Sequence, residues 1–304
     1  MFDIILNPNG GHGASLKALK VVEQCLKDAN QEYTVHKTEY AGHAIQLAKE
    51  LNEASEDLKL IVLGGDGTFN EVLNGLTDLS KVTMGIIPCG SGNDFIKASG
   101  HPKKYKDAMD IILEGSTSYV DYIKVGDKRC LNVAGAGMDV DVLTKYATVK
   151  KLKGKAAYYY SLFYTLAHAK FHHMEISING GEPLERSVFM IGIGNGQFIG
   201  GGLKVCPNGV IDDGKLDVVI INEIKKSKII AKLPKFLSGK HLGCDFTEEF
   251  VTDNELDGTI KGWMYLPDAY DWRANTEACE YDDEYKQELE DAYWDAKIDE
   301  ARGK

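Results

Sequence analysis

Residues 60–76 constrain the fold of this chain more than any other stretch. They read LIVLGGDGTFNEVLNGL, and the first four form an apolar run without a polar face, which predicts a strand buried on both sides. Three glycines within the next four positions allow the backbone to turn sharply and to come close to a ligand. The apolar spacing from Phe69 to Leu76 then has a helical period, so we expect a helix to begin after Thr68.

A glycine turn between a buried strand and the start of a helix is typical of an anion site, and phosphate is the usual anion. Asp66 lies in the middle of this turn. Its carboxylate would repel a bare phosphate, but it suits a nucleotide that carries Mg²⁺. For an isolated Gly-Gly-Asp-Gly, a tight turn whose glycines serve only geometry is an equal alternative.

Three more strand–turn–helix units surround this stretch, with strands expected at residues 2–6, 33–36 and 83–87. The helix after the first strand is predicted to place Leu16, Leu19, Val22 and Leu26 on one face. Successive units of this kind predict an α/β domain with a parallel sheet, which binds its ligands at the carboxyl ends of the strands.

The pattern changes after about Asp121, where strand-like segments dominate and helices are fewer. These segments are residues 119–125, 129–133, 175–178, 186–193 and 216–221. An insertion of two helices is expected between Val140 and His168. The second half is therefore predicted to be a β-rich, sandwich-like domain.

Four groups of motifs follow one another along the chain. They are NPNGG at 7–11, the glycine stretch at 64–76, PCGSGNDF at 88–95, and the series GNG, GGG and DDGKLD at 194–196, 200–202 and 212–217. In this order they resemble the diacylglycerol kinase catalytic family, in particular the soluble bacterial lipid kinases. The resemblance covers residues 1 to about 250, with Gly10 and Ser91 as small departures.

The resemblance implies roles for individual residues. It places the magnesium and the phosphates near Asp66, Asp94 and Asp121, and a second, structural magnesium at Asp213 with the backbone carbonyls of Val210 and Lys215. It assigns ATP to Asn7, Pro8, Asn9, Gly10, Gly11, Thr38, Gly64, Gly65, Asp66, Gly67, Thr68, Phe69, Asn70 and Ser91.

Several of these positions also have plainer interpretations. A helix cap explains Asp94, a turn at a strand end explains Asp121, and a hairpin turn explains the Asp-Asp-Gly at 212–214.

The resemblance predicts an ATP-binding α/β domain at 1–122, a β-rich lipid-substrate domain at 123–251 and an atypical acidic segment at 252–304. The implied activity is an ATP- and Mg²⁺-dependent transfer of the γ-phosphate to a lipid hydroxyl, converting diacylglycerol to phosphatidate, as in phospholipid biosynthesis. Two alternatives stay open at this point. One is an NAD kinase-like enzyme, and the other is a nucleotide-binding protein with little kinase activity.

The C-terminal segment departs from the family. The family carries an Asp-Gly-Glu whose Glu is thought to take the proton of the lipid hydroxyl, whereas this chain has Asp257-Gly258-Thr259. Asp257 and Glu255 are the nearest substitutes. All three tryptophans lie beyond residue 262, and residues 268–304 hold thirteen acidic and five basic residues. The four-residue spacing of Tyr281, Tyr285, Leu289 and Tyr293 predicts an amphipathic helix over 282–300.

The composition of the chain limits the partners and the cell compartment that we expect for it. A net charge of −11 argues against nucleic acid, and six scattered cysteines suit a reducing cytoplasm. No apolar stretch approaches the ~20 residues of a membrane span, so we expect a soluble cytoplasmic protein that meets the membrane transiently. The chain leaves open whether it forms a homodimer.

A cluster of lysines inside the predicted insertion bears on whether the protein contacts a membrane. Its members are Lys145, Lys150, Lys151, Lys153 and Lys155, beside Tyr158, Tyr159, Tyr160 and Phe163. One interpretation is a solvated basic helix next to a packed aromatic one. The other is a peripheral contact with anionic lipid head groups, which would bring the enzyme to a membrane lipid substrate.

Overall fold

The computed structural model of the chain describes residues 1–150, 152, 154–253 and 260–261. The described chain divides into two compact units, residues 1–120 and the residues from 121 onward. No helix of the described chain combines the length and the apolar character that crossing a bilayer requires.

The first unit is built on a four-stranded parallel sheet, which confirms the α/β prediction. Its strands are β1 (Phe2–Leu6), β2 (Tyr33–Lys37), β3 (Leu58–Gly64) and β4 (Val82–Pro88), in the spatial order β2-β1-β3-β4. Its helices are α1 (Ala14–Asp28), α2 (His43–Ala54), α3 (Asp66–Gly75), α4 (Asp94–Ser99) and α5 (Tyr105–Glu114), with short 3-10 helices at Gly10–Gly13 and Leu79–Lys81.

Helices cover both faces of this sheet. Ile4 and Ile61 pack against α1 and α5 in one buried cluster. Ile5 and Val62 point to the opposite face, because side chains alternate along a strand, and both are also fully buried. The two central strands are therefore apolar on both faces over residues 4–6 and 60–63, as the run before the glycines predicts.

The packing of α2 against α3 explains one glycine of the long motif. A Cβ atom on Gly75 would lie 2.2 Å from the backbone carbonyl oxygen of Ile45 in α2. No side chain fits at this distance, so Gly75 allows close helix packing rather than a turn. The end of the glycine stretch at 64–76 is thus partly a packing requirement.

The predicted inner face of α1 is wrong at its first position. Leu16 is 44% exposed, and Ser15 is fully buried in its place. The hydroxyl of Ser15 donates a hydrogen bond of 2.6 Å to the backbone carbonyl of Asn7, which turns this residue toward the sheet. A polar contact with the preceding turn therefore sets the rotation of the helix.

The second unit is an antiparallel, β-rich domain, as predicted. Its strands are β5 (Ile123–Val125), β6 (Lys128–Cys130), β7 (Val133–Gly137), β8 (His172–Ile176), β9 (Leu184–Gly194), β10 (Phe198–Ile199), β11 (Leu203–Lys204), β12 (Lys215–Asn222), β13 (Thr247–Asp253) and β14 (Ile260–Lys261). The main sheet has the order β13-β12-β9-β8-β14, with β7 also paired to β9.

Three helices accompany this sheet: α6 (Met138–Ala147), α7 (Gly154–Ala167) and α8 (Lys226–Leu237). The first two are the predicted insertion, whereas α8 and, in the first unit, α5 were not predicted. The strand expected at 119–125 is shorter than predicted, since it begins only at Ile123 and Tyr119 is 97% exposed. The predicted helix at 282–300 lies outside the described residues.

Candidate phosphoryl-transfer site

The turn after β1 is tied to the start of α3. The side-chain amide of Asn7 donates a hydrogen bond of 3.1 Å to the hydroxyl of Thr68, and the backbone amide of Asn7 donates to the carbonyl of Leu63. The Asn7 side chain also accepts from the amide of Asn9 at 3.0 Å, which closes the turn. Two of the predicted nucleotide-binding segments are therefore in direct contact.

Glycines let the turns after β1, β3 and β4 approach one another. Gly11 has a φ of +57°, and a Cβ atom there would lie 1.8 Å from the carbonyl oxygen of Cys89. A Cβ atom on Gly90 would lie 2.6 Å from the Cα of Gly65. A residue with a Cβ atom would clash with the backbone at either position. The glycines therefore allow three predicted loops to meet at the carboxyl ends of the strands.

Thr38 and Ser91 lie at the same edge of the sheet. Thr38 follows β2, and its amide donates to the carbonyl of Leu6 at 2.9 Å. Ser91 is exposed in the turn after β4. Because all four strands are parallel, every segment predicted to bind the nucleotide leaves this one edge.

Helix α3 begins earlier than predicted. Asp66 is its first residue and Gly64 is the last residue of β3, so Gly65 alone separates strand and helix, and Gly67 belongs to the helix. The cap residue Gly65 has no side chain to offer the first-turn amides, and such amides attract an anion. The side chain of Phe69 is 2% exposed and packs in the core, so this residue can face a ligand only through its backbone.

Asp66 forms a cap for the neighbouring helix α4. Its Oδ1 accepts the backbone amide of Asp94 at 2.7 Å and that of Phe95 at 3.3 Å. Burial, and then the nearby carboxylate of Asp94, raise the pKa of Asp66 to about 6, although the amides act in the opposite direction. Two carboxylates from different loops thus lie side by side where the glycine turns converge.

Asp94 is the first residue of α4 and is fully buried. It forms an ion pair with Lys97, whose Nζ lies 2.7 Å from its Oδ1. The preceding Asn93 has a φ of +51° and exchanges two hydrogen bonds with the backbone of Gly90. Asn93 therefore shapes the turn. Lys97 is a member of the site that the sequence analysis missed, although its three-residue spacing from Asp94 on a helix signals it.

In the second unit, Asp121 contacts the turn predicted to hold a metal. Its Oδ2 accepts the backbone amide of Gly214 at 2.7 Å, and its own amide donates to the carbonyl of Ile211. Asn195, which is fully buried, donates to the Asp121 carbonyl at 2.7 Å. The Gly-Asn-Gly motif thus positions Asp121, while the place of Asp121 at a magnesium stays a prediction.

The proposed ligands of the structural metal share this turn. Asp213 accepts the amide of Lys215 at 3.1 Å, and Val210 is 44% exposed. In the part of the chain that the structure describes, no three His, Cys, Asp or Glu side chains come together as a metal site. The predicted magnesium site has one carboxylate and two backbone carbonyls, so this absence does not bear on it. That site stays a prediction.

Two other carboxyl groups of this unit were not predicted. Burial raises the pKa of Asp139, in the first turn of α6, to about 7. Burial, and then the carboxylates of Glu249 and Asp213, raise the pKa of Asp217 to about 6. Asp257 and Glu255, the predicted substitutes for the family base, lie outside the described residues.

Comparison with known proteins agrees with these two units. Residues 2–125 match the family model described as diacylglycerol kinase catalytic domain. A diacylglycerol kinase from Bacillus subtilis is 33% identical over 249 residues, which cover 79% of this chain and 79% of that protein. The chain belongs to the diacylglycerol kinase catalytic family. Residues 132–254 match the YegS C-terminal NAD kinase beta sandwich-like domain, which ends close to the point where we predict the departure.

Other relatives of the family span most of the chain. A "probable lipid kinase YegS-like" protein from Chromohalobacter salexigens is 30% identical over 272 residues, which cover 85% of each chain. The crystal structure of a diacylglycerol kinase from Bacillus anthracis superimposes with a TM-score of 0.71 at 25% identity, over 90% of this chain and 91% of that one. Membership of the family confirms the prediction of a phosphotransferase that acts on an alcohol group, and it implies a nucleotide as the phosphoryl donor.

Proposed function

We propose that the protein is an ATP- and Mg²⁺-dependent lipid kinase that converts diacylglycerol to phosphatidate. The observation that carries the proposal is the pair Asp66 and Asp94, held together where the glycine turns after β1, β3 and β4 converge. The names of the relatives, diacylglycerol kinase and lipid kinase, support the choice of a lipid acceptor.

The residues of this edge fit a nucleotide with its cation. The backbone amides in the first turn of α3 suit phosphate oxygens. The rest of the nucleotide site would be formed by the turns at 7–11 and 90–91 and by Thr38. Carboxylate oxygens are the ligands that Mg²⁺ prefers. Burial and then the carboxylate of Asp94 raise the pKa of Asp66, so a cation bound beside the two carboxylates would stabilise its charged form. When bound, Mg²⁺ would neutralise charge on the transferred phosphoryl group.

The reaction requires positioning and charge balance more than covalent help. The lipid hydroxyl oxygen forms a bond to the γ-phosphorus, the bond from that phosphorus to the β-γ bridging oxygen breaks, and ADP leaves. The hydroxyl proton passes to a carboxylate. The Glu that the family uses for this step is absent here, and we propose Asp257, its nearest substitute in the sequence, as a less effective acceptor of the proton.

The lipid acceptor requires a contact with the membrane, and α6 and α7 offer one. Phe163 is 60% exposed, Tyr159 54% and Tyr160 46%, so about half of each aromatic side chain faces solvent. The Nζ of Lys145 lies 4.0 Å from the ring centroid of Tyr164, and Lys150 is exposed. Aromatic rings beside lysines suit the boundary between lipid head groups and acyl chains.

A transfer assay with several acceptors tests the proposal. The protein is incubated with γ-labelled ATP and Mg²⁺, and with diacylglycerol in vesicles, other lipid alcohols or NAD. We expect label in phosphatidate. Label in NAD would favour the NAD kinase-like alternative, since the second unit matches a domain of NAD kinase type. ATP binding without transfer to any acceptor would favour a nucleotide-binding protein.

A further inference from the structure

A chain of hydrogen bonds leads from Asn195 to the turn at residues 210–215, which is predicted to hold the structural magnesium. The Nδ2 of Asn195 donates to the backbone carbonyl of Asp121 at 2.7 Å. The backbone amide of Asp121 donates to the carbonyl of Ile211, and its Oδ2 accepts the amide of Gly214 at 2.7 Å. Asn195 therefore holds a residue that in turn holds the metal turn at two points.

The residues that follow Asn195 also fix the approach to this turn. The Nε2 of Gln197 donates to the backbone carbonyl of Gly209 at 3.0 Å, one residue before the turn begins. A Cβ atom on Gly209 would lie 2.6 Å from the carbonyl oxygen of Gly196, so the two backbones are in close contact. The turn is thus attached to the segment around Asn195 on both of its flanks.

The side-chain amide of Asn195 suits this task. Its Nδ2 donates to the carbonyl of Leu131 at 2.9 Å as well as to that of Asp121, so both of its hydrogens are used. The residue is fully buried, and its Oδ1 has no hydrogen-bond partner within the described residues. A buried acceptor without a partner lowers stability. The two donated bonds, and not burial, therefore account for an asparagine at this position.

The oxygens of the turn fit a hard cation. Asp213 is exposed and accepts the amide of Lys215 through Oδ1, so its Oδ2 can face a cation together with backbone carbonyls. Carboxylate and carbonyl oxygens suit Mg²⁺, which demands near-ideal geometry from its ligands. A small shift of the turn would therefore lower the affinity even when every ligand is present.

We propose that Asn195 is a positioning residue for this metal site: it fixes Asp121 and the turn at 210–215 in the arrangement that binds Mg²⁺, and it is not itself a ligand. The inference rests on the proposed Mg²⁺-dependent function. It deepens that proposal, because it makes the affinity for the cation depend on a buried side chain that lies behind the site.

Mg²⁺ binding to the full chain without nucleotide tests the proposal. Calorimetry measures the affinity, and the part of the binding that Asp213→Asn removes is assigned to the turn. Asn195→Asp keeps the volume and loses both donors, and we expect it to weaken Mg²⁺ at this site about 10- to 100-fold. Asn195→Ser, which keeps one donor, should lie between. Unchanged affinity in both variants would overturn the proposal, as would the absence of any binding that depends on Asp213.

A matched control separates positioning from a general loss of stability. Asn52 is also buried, at 2% exposure, and holds a turn in the first unit by accepting the amides of Thr77 and Asp78 at 2.8 and 2.7 Å. Asn52→Ser should lower the unfolding temperature, as Asn195→Ser does, but leave the affinity for Mg²⁺ unchanged. If the two serine variants weaken Mg²⁺ equally, the effect is one of stability and the proposal is wrong.

Hydrogen exchange gives a measurement that needs no variant. Because coupling is reciprocal, Mg²⁺ should slow the exchange of the backbone amides of Asp121 and Asn195 in the unmodified chain. The amide of Asp78, in the first unit, should keep its rate. Unchanged exchange at Asp121 and Asn195 would overturn the proposal even if the variants fail to fold. None of these measurements needs ATP or turnover, so failure of the kinase assay and failure of this proposal remain distinguishable.

Discussion

The carboxylate of Asp66 accepts the backbone amide of Asp94 at 2.7 Å, and so one acidic residue caps the helix on which the other begins. The two residues are 28 positions apart, and they meet because β3 and β4 are neighbours in the sheet. The cap lowers the cost of placing the charges together, while Lys97 balances the buried Asp94. This arrangement gives Asp66 a structural role beside its proposed role at the magnesium.

Replacement of Asp66 should separate these two roles. We expect Asp66→Asn to lower turnover by ~10²–10³-fold, because the charge that faces the cation is lost, while the amide oxygen still accepts from Asp94. Asp66→Ala should be equally inactive and also lose ~1 kcal/mol of unfolding free energy with the cap. Steady-state kinetics and chemical unfolding of both variants measure this. A turnover within tenfold of the unmodified protein would show that the site is assigned wrongly.

Stability without metal should depend on pH through Asp66. Its folded pKa of about 6 exceeds the value of ~4 for an unfolded chain, so its contribution is complete below pH ~4 and is lost as the pH rises through 6. In EDTA, Asp66→Asn should therefore be more stable than the unmodified protein at pH 7.5, by up to ~2 kcal/mol given partial solvent exposure, and nearly equal to it at pH ~3.5, below both pKa values. Unfolding curves at both pH values measure the difference, and Mg²⁺ with nucleotide should reverse it.

Removal of the charge on Lys97 should destabilise the first unit. Lys97→Met leaves the carboxylate of Asp94, whose side chain is 1% exposed, without its cation, and we expect a loss of ~1–3 kcal/mol because Lys97 itself is partly exposed. Lys97→Arg keeps the charge and should restore most of the stability and activity. Urea unfolding and turnover of the two variants test this, with Lys106→Met, in an exposed pair with Asp110, as control. Equal effects at both positions would argue against a special role for Lys97.

The lysines of the predicted insertion should guide the enzyme to anionic membranes. Changing Lys150, Lys151, Lys153 and Lys155 to Gln should weaken binding to phosphatidylglycerol vesicles, at ~1 kcal/mol per lysine near the surface, and the effect should shrink at high salt. Phe163→Ser should weaken binding in a way that salt does not alter, since its contribution is apolar. Sedimentation with vesicles measures both, and binding that ignores the lysines and salt would contradict the prediction.

The missing family base should show in turnover more than in nucleotide affinity. The residues proposed to bind ATP all precede position 92, so we expect ordinary ATP affinity and weak phosphoryl transfer. Thr259→Glu should raise turnover, because a general base contributes ~10²–10⁴-fold. Measuring ATP affinity and lipid turnover on both chains tests this. Turnover of the unmodified chain in the family's usual range would show that a base is present elsewhere.

Much of the first unit could be predicted from the sequence because its signals are local. An apolar run, a glycine turn and a helical period lie within seventeen residues at 60–76, and the four strands of the sheet follow from four such units. The antiparallel second unit was also predicted as β-rich. Its helix α8 was missed, since six lysines over 225–240 obscure an apolar face that packs inward only through tertiary contacts.

The sequence by itself determined the family, the two kinds of domain and the edge of the sheet where the glycine turns gather. Only the tertiary structure decided which atoms meet there: the Asp66 cap on α4, the Asp94–Lys97 pair and the contact between Asp121 and Gly214, 93 residues away. The physical reason is that strand order, and not distance along the chain, brings loops together. Residue types and periods specify each element, but the burial that makes a carboxylate pair costly exists only once those elements pack.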